Sequence, residues 1–257
     1  MILLLDIGNT HTHLGLANSK RILKQTNVPT ASWFQGEAAA LVSKFVDRAS
    51  VNGAALCSVV PQVTPRAVKV IKRAWQLDCL ILTPKTVRGV GIDYPKPDTI
   101  GPDRLANAVA VRQHHGAPSV VVDFGTAVTF DVVNRAGNYV GGIIAPGLAV
   151  MTDYLHEKTA LLPRIKIREE KAIIGKNTEQ AMLIGAVHGY RGLIRELIAQ
   201  LKKDLRATHL PVVATGGYAR LMAAKLPEIT AVEPLLTLEG LRLVWEKTAG
   251  AQPADKT

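Results

Sequence analysis

Residues 3–16, LLLDIGNTHTHLGL, and residues 120–133, VVVDFGTAVTFDVV, carry one pattern twice. Each is a short apolar run that ends in Asp, any residue, Gly, and then resumes as an alternating stretch containing Thr. A run of that kind reads as a strand, a tight turn and a second strand. The Gly lets the backbone turn sharply and approach a ligand, the Thr hydroxyls add donors, and an Asp at a strand end can hold a hydrated cation. One copy is ordinary hairpin chemistry. Two copies 117 positions apart, pairing Asp6 with Asp123, Gly8 with Gly125 and Thr12 with Thr129, point to a duplicated lobe built around phosphate and its metal. A third Gly element, PVVATGGYARLM, runs an apolar strand into Thr215, Gly216 and Gly217 and then a helix, where bare backbone suits a flat adenine or ribose.

The rest of the chain fits around these elements. Strand-like runs (ILLLDI, AALCSVV, CLILT, SVVVDF, VTFDVV, PVVAT) alternate with helix-like segments, an α/β pattern. In the longest helical segment Tyr190, Ile194, Leu197, Leu201 and Leu205 share one face, which is expected to be core. The duplication places a first lobe at 1–115 and a second at 116–248, joined at Gly116 and Pro118, with a frayed tail at 249–257.

With 257 residues, 47% of them hydrophobic, the chain can bury one large core or two smaller ones. No stretch approaches the roughly 18 uninterrupted apolar residues of a membrane span, and the N-terminus has no leader pattern, so a cytoplasmic protein without a membrane partner is expected. Cys57 and Cys79 stand apart in apolar surroundings and read as reduced, buried thiols. The formal charge of +10 is spread out and interleaved with acidic residues. No zinc finger, basic heptad or aromatic RNA-binding string accompanies it, so an anionic small substrate is favoured over nucleic acid.

The trio of two phosphate loops and a strand-TGG-helix element resembles the superfamily of acetate kinase, sugar kinases, Hsp70 and actin. The series DIGNTHT, GPDRLANAVA, VVVDFGTAVTFDVV, GGIIAPGL, IGKNTEQAM, ATGG and LTLEGLRLVWE narrows this. In order and approximate spacing it is similar to type III pantothenate kinases over roughly residues 1–247. The resemblance implies two ribonuclease-H-like lobes with a nucleotide cleft between them, ATP-dependent phosphorylation of pantothenate as the first step of coenzyme A synthesis, magnesium, a potassium or ammonium ion, and a homodimer. It assigns Asp6, Ile7, Gly8, Asn9, Thr10, His11, Thr12 and His13 to the first phosphate loop, with Asp6 near magnesium through water and Thr12 facing the triphosphate. It assigns Thr126 to the second loop, Gly216 and Gly217 to the nucleoside, and Asp123 to the monovalent cation. Gly101, Pro102, Asp103 and Arg104 match the substrate motif, with Asp103 as general base, and Tyr94 and Thr178 match further pantothenate contacts. His11 and Pro102 depart from the Asn and Ala common in the family.

Each residue also has a plain structural role open to it. Asp103 has the position of a helix N-cap, where the helix dipole would keep it ionised, the state a base needs. Arg104 offers a planar fork to a carboxylate. Asn177 or Thr178 can cap the helix that follows, with Gln180 completing a capping box from Asn177. His11 and His13 have strand spacing for a metal, but nothing nearby completes a zinc site. His114 and His115 fall in a last helical turn. Two other functions fit the same fold: a regulator that has abandoned chemistry, and a kinase of another small acid or sugar.

Overall fold

The structure, a computed structural model, describes residues 1–249. Of the tail expected to fray, 249–257, all but Ala249 lies outside the described residues, and Ala249 ends a helix. In chain order the strands are β1 (Ile2–Ile7), β2 (His11–Ala17), β3 (Ile22–Pro29), β4 (Gly53–Ser58), β5 (Cys79–Ile81), β6 (Gly91–Ile92), β7 (Ser119–Phe124), β8 (Ala127–Val133), β9 (Asn138–Pro146), β10 (Val212–Thr215) and β11 (Ala231–Val232). The helices are α1 (Ser32–Gln35), α2 (Ala38–Val46), α3 (Thr64–Trp75), α4 (Pro102–His115), α5 (Leu148–Lys158), α6 (Thr178–Ile184), α7 (Tyr190–Asp204), α8 (Ala219–Ala223) and α9 (Leu236–Ala249).

These elements make two compact units. The first comprises Met1–His114, Gly137–Val140 and the chain from Leu235, and the second His115–Ala136 and Gly141–Pro234. A division into successive halves therefore misses α9, which returns to the first unit. The join behaves as its residues require: α4 ends at His115, and Gly116 follows at φ +80°, the left-handed turn that stops a helix.

In the first unit the sheet order is β3-β2-β1-β4-β5, with β1 antiparallel to β2 and parallel to β4. Strand alternation splits β1 between two layers. Leu3, Leu5 and Ile7 join Trp33, Val42, Phe45, Val63 and Ile71 in a core under α1, α2 and α3. On the other side α9 packs against β1, β2 and β4. There Leu238 lies against Leu4 and Gly15, Trp245 covers Gly53, and Gly240 rests on the Ala106 carbonyl of α4.

The second unit repeats the plan. β7 is antiparallel to β8 and parallel to β10, in the order β11-β10-β7-β8-β9, with the two-residue β6 added beside the start of β9. Read from β9, this is the ribonuclease-H-like order of the first sheet. β1 and β7 even share one burial pattern, four buried residues, a half-buried Asp and a buried residue.

The register corrects one pairing in the duplication. Asp6 lies opposite His13, whereas Asp123 lies opposite Thr129, because three residues separate β1 from β2 and only two separate β7 from β8. His13 is thus the counterpart of Thr129, and Thr12 that of Val128. A one-residue offset in a strand changes the face, and Thr12 and Val128 are both buried while His13 and Thr129 are half-buried.

The long helical segment is also not continuous. Residues Gly185–Gly189 form a π-helical turn between α6 and α7. The buried stripe of α7 is Tyr190, Arg191, Ile194 and Ile198, while Leu197, Leu201 and Leu205 are half-buried, a face slightly rotated from the expected one. Arg191, only 4% exposed, donates from both terminal nitrogens to Glu169 (2.9 and 2.6 Å) and to the Leu221 carbonyl (2.6 Å). It pins the irregular stretch between α5 and α6, and the pairing holds the Glu169 carboxyl below the usual range.

Candidate active site

In the first unit the chemistry gathers where β1 ends. Asp6 is the last residue of β1 on the α9 side, and Cys57, its register partner on β4, donates its thiol hydrogen to Asp6 Oδ1 (3.3 Å). The Asp6 carboxyl is pushed up to about 7, first by burial and then by the negative charge of Asp103, with the Cys57 hydrogen bond opposing. Burial and the same two carboxylates push the Cys57 thiol well up, which keeps it protonated as a donor.

Asp103 sits two places further into its helix than the cap, as the second helical residue. Pro102 is the first residue of α4, a comfortable position for a residue without N–H, and the amides of Arg104 and Leu105 bond back to the Gly101 carbonyl, so Gly101 holds the cap position. Asp103 Oδ1 instead accepts from the Arg104 amide (2.9 Å). Burial raises its pKa, opposed by that amide and by the Arg104 guanidinium. The helix start does not depress it as expected, because desolvation outweighs both favourable contacts. A side chain at Gly101 would bring its Cβ to 2.5 Å from Asp103 Oδ1, so only Gly leaves that carboxylate in place.

Arg104 stands over the ring of Tyr139, 5.8 Å from its centroid, and the Tyr94 ring packs against the same Tyr139 ring, centroids 6.2 Å apart and tilted by 59°. The structure therefore brings Tyr94, Arg104 and Asp103 to one region. Tyr139, 1% exposed, organises it and was not legible as a site residue, because it enters through the start of β9 beside β6.

In the first loop Gly8 is half-buried and Asn9, Thr10 and His11 are exposed, while His13 Nδ1 contacts Asn27 Oδ1 (2.7 Å). Two assignments change. The Ile7 side chain belongs to the core, leaving only its backbone toward the loop. Thr12 is wholly buried and its hydroxyl meets Thr30 and Trp33. It does not face the triphosphate side, since strand alternation turns it inward with Ile7.

In the second unit Asp123, half-buried, holds the same strand position, beside Thr215 of β10. Gly216 follows at φ +89°, and a Cβ there would come within 2.5 Å of Asp123 Oδ1 and 2.7 Å of the Phe124 backbone. The Gly is required by both its conformation and this approach. Asp123, exposed Thr126, Gly216 and exposed Gly217 are thus neighbours in strand order. Thr178 opens α6, capped by Asn177 Oδ1 accepting from the Gln180 amide (2.9 Å), while Gln180 Oε1 accepts from the Lys176 amide (3.0 Å). The cap bond of the expected box is in place, and only its return bond is displaced by one residue, to Lys176. Thr178 lines a largely apolar cavity of about 410 Å³ with Met151, Thr152, Leu155, Leu162 and Met182. A larger concavity of about 900 Å³ along α3, lined by Pro61, Val68, Lys69 and Ile81, contains none of the candidate site residues. His114 and His115 end α4 against Glu239 (3.1 Å) and Glu233 (2.5 Å), paired within their own units.

Comparison with known proteins decides the family. The model of type III pantothenate kinases matches residues 2–200. The chain belongs to the type III pantothenate kinase family. Type III pantothenate kinases of Methylacidiphilum infernorum and Akkermansia muciniphila are each 44% identical to it, the first over 95% of this chain and 88% of its own, the second over 94% and 96%. That of Streptomyces griseus is 37% identical over 96% and 98%. Among solved structures, a Campylobacter jejuni protein assigned to the Baf family of transcriptional activators superposes with a TM-score of 0.61 at 20% identity, covering 96% of this chain and 99% of that one. The ethanolamine utilization protein EutJ of Carboxydothermus hydrogenoformans gives 0.53 at 16%, covering 94% and 89%. These two share the fold with this type III pantothenate kinase family member. Within that frame the residues missed in the sequence are Cys57, Thr30, Trp33 and Tyr139. Only Cys57, in the strand beside β1, carried a signal, its place in an apolar run of the parallel partner.

Proposed function

We propose that this protein transfers the γ-phosphoryl group of ATP to pantothenate, giving 4′-phosphopantothenate and ADP, the first step of coenzyme A synthesis. The observation that carries the reading is Asp103 at the start of α4 in the same buried region as Asp6, with Arg104 beside it. Burial makes Asp103 a stronger base than an ordinary Asp, as a group that must take a hydroxyl proton near neutral pH needs to be. The Asp103 carboxylate accepts the proton of the pantothenate hydroxyl as its oxygen bonds to the γ-phosphorus and ADP departs with the breaking P–O bond. Arg104, steadied over Tyr139, pairs with the pantothenate carboxylate.

The donor chemistry fits magnesium. Asp6 is a hard oxygen ligand whose carboxyl titrates near 7 beside a second carboxylate, a place that lacks positive charge. A magnesium ion there supplies charge neutralisation to the transferring phosphoryl group. In the second unit Asp123 holds a potassium or ammonium ion, supported by the way Gly216 opens the space at its carboxylate. The protein acts in the cytoplasm as a homodimer, supported by exposed Val150, Tyr154 and Leu155 on α5, an apolar surface suited to a second copy.

The test is ADP release with pantothenate, pantothenol and a panel of sugars and small acids as acceptors, in potassium or sodium at fixed ionic strength. Pantothenate-dependent release is expected. Release with a sugar and none with pantothenate would overturn the assignment.

A further inference from the structure

We infer that Thr30 and Trp33 are positioning residues for the first phosphate loop, acting through Thr12 as a one-way hydrogen-bond relay that turns the loop carbonyls inward. The inference rests on the reading that residues 8–10 hold nucleotide phosphate.

The direction of the relay follows from the atoms. Trp33 Nε1 can only donate, and it does so to Thr12 Oγ1 (3.0 Å). Thr30 Oγ1 donates its single proton to the Gly8 carbonyl (2.7 Å). Between them Thr12 Oγ1 and Thr30 Oγ1 lie 3.1 Å apart. Because the Thr30 proton is committed, the Thr12 hydroxyl must donate to Thr30. The chain therefore runs from indole N–H through two hydroxyls to a carbonyl, each link using the one proton it has. The Thr30 amide also donates to the Thr10 carbonyl (3.0 Å), so one residue holds both ends of the loop. Trp33 is itself anchored, its carbonyl accepting from Arg66 (3.1 Å).

The three side chains are 0, 1 and 3% exposed for Thr12, Thr30 and Trp33, so water cannot replace a lost link. The consequence for function is electrostatic. Carbonyl oxygens repel a triphosphate, and a loop that binds one must keep them turned away; here the carbonyls of Gly8 and Thr10 are tied to Thr30. In the second loop Val128 takes the place of Thr12, so the middle hydroxyl of the relay has no counterpart there.

The experiment is calorimetric titration of the full chain with magnesium and a non-hydrolysable ATP analogue, without pantothenate, followed by steady-state kinetics. Thr30→Val should weaken nucleotide binding on the order of tenfold. The KM for ATP should rise with it, while kcat at saturating nucleotide changes less. Thr30→Ser, which keeps the hydroxyl, should restore binding to within about twofold. Thr86→Val, which removes a hydroxyl bonded to the Ile81 carbonyl elsewhere in the same unit, should leave nucleotide affinity unchanged. Where Thr30→Val fails to fold, Trp33→Phe decides in the same titration by removing only the first donor. Wild-type affinity in folded Thr30→Val, or in Trp33→Phe, overturns the relay. Absence of nucleotide binding in the wild type overturns the phosphate-loop reading instead, so the two failures are distinct.

Discussion

Replacing Asp6 by Asn removes from the metal-free protein a carboxyl whose pKa is pushed up to about 7 from 3.8. The native state then holds a proton across a range in which the unfolded chain has already released it. The stability that this proton confers is fully present below the unfolded value and is lost as pH rises through the native one, so stability should decline between about pH 4 and pH 7 and level off above. Holding the carboxyl at about 7 in place of 3.8 makes the decline about 4 kcal/mol. The carboxamide of the variant cannot ionise and still offers an oxygen to Cys57, so Asp6→Asn should be the more stable protein at pH 8 by up to that amount, and near-equal at pH 4. For a chain of this size that is roughly 10 °C in Tm. Thermal and urea unfolding in EDTA across pH 4–8.5 measures it. Asp103→Asn, by removing the charge that is the second cause of the shift, should move the wild-type inflection to lower pH. Magnesium with an ATP analogue should stabilise the wild type at pH 8 and scarcely affect Asp6→Asn. A wild-type profile parallel to that of Asp6→Asn would refute the reasoning, since the carboxyl would then not be held protonated by the fold.

Other outcomes follow from the same geometry. Asp103→Asn should keep pantothenate binding and lower turnover by about 10²- to 10⁴-fold, read by single-turnover kinetics. Arg104→Ala should raise the KM for pantothenate by about ten- to a hundredfold and leave weak activity on pantothenol unchanged, because only the acid has a carboxylate to lose. At fixed ionic strength the wild type should turn over faster in potassium than in sodium, and Asp123→Ala should be poor in both; equal wild-type rates in the two salts would remove the cation from Asp123. Gly216→Ala, forced to φ +89° with its Cβ against Asp123, should lose more than about 1 kcal/mol in urea unfolding and lose the potassium preference with it.

The strands and the two loops were legible because each depends on neighbours in sequence. An apolar run closing on Asp and Gly gives β1 and β7 directly, and the residues of α4 announce their helix by spacing. What escaped depends on the third dimension. Thr12 sits in a motif that reads as ligand-facing, but its hydroxyl is claimed by partners 18 and 21 positions away. A single residue less in the second turn shifts the duplicated register, although the Asp-Gly pair that precedes it is the same in both copies. The Asp103 pKa direction is a contest between a helix start, visible in sequence, and burial, visible only in the fold. Nothing local marks Arg191 as buried, since its carboxylate partner Glu169 stands 22 positions away and only the fold brings the two together.

The return of α9 to the first unit sets the order in which a nascent chain can mature. The strand bearing Asp6 is synthesised first, yet its α9 side, with Leu238 on Gly15 and Trp245 on Gly53, is covered only by residues made after Pro234. Every segment of the second unit has by then been made. At the pace of translation, about 5–20 residues per second, the later-encoded unit can settle while the earlier one still waits with an open sheet. Growth of the chain and completion of its parts thus run in opposite directions, and the carboxylates of the first unit reach their final environment only when the last helix docks.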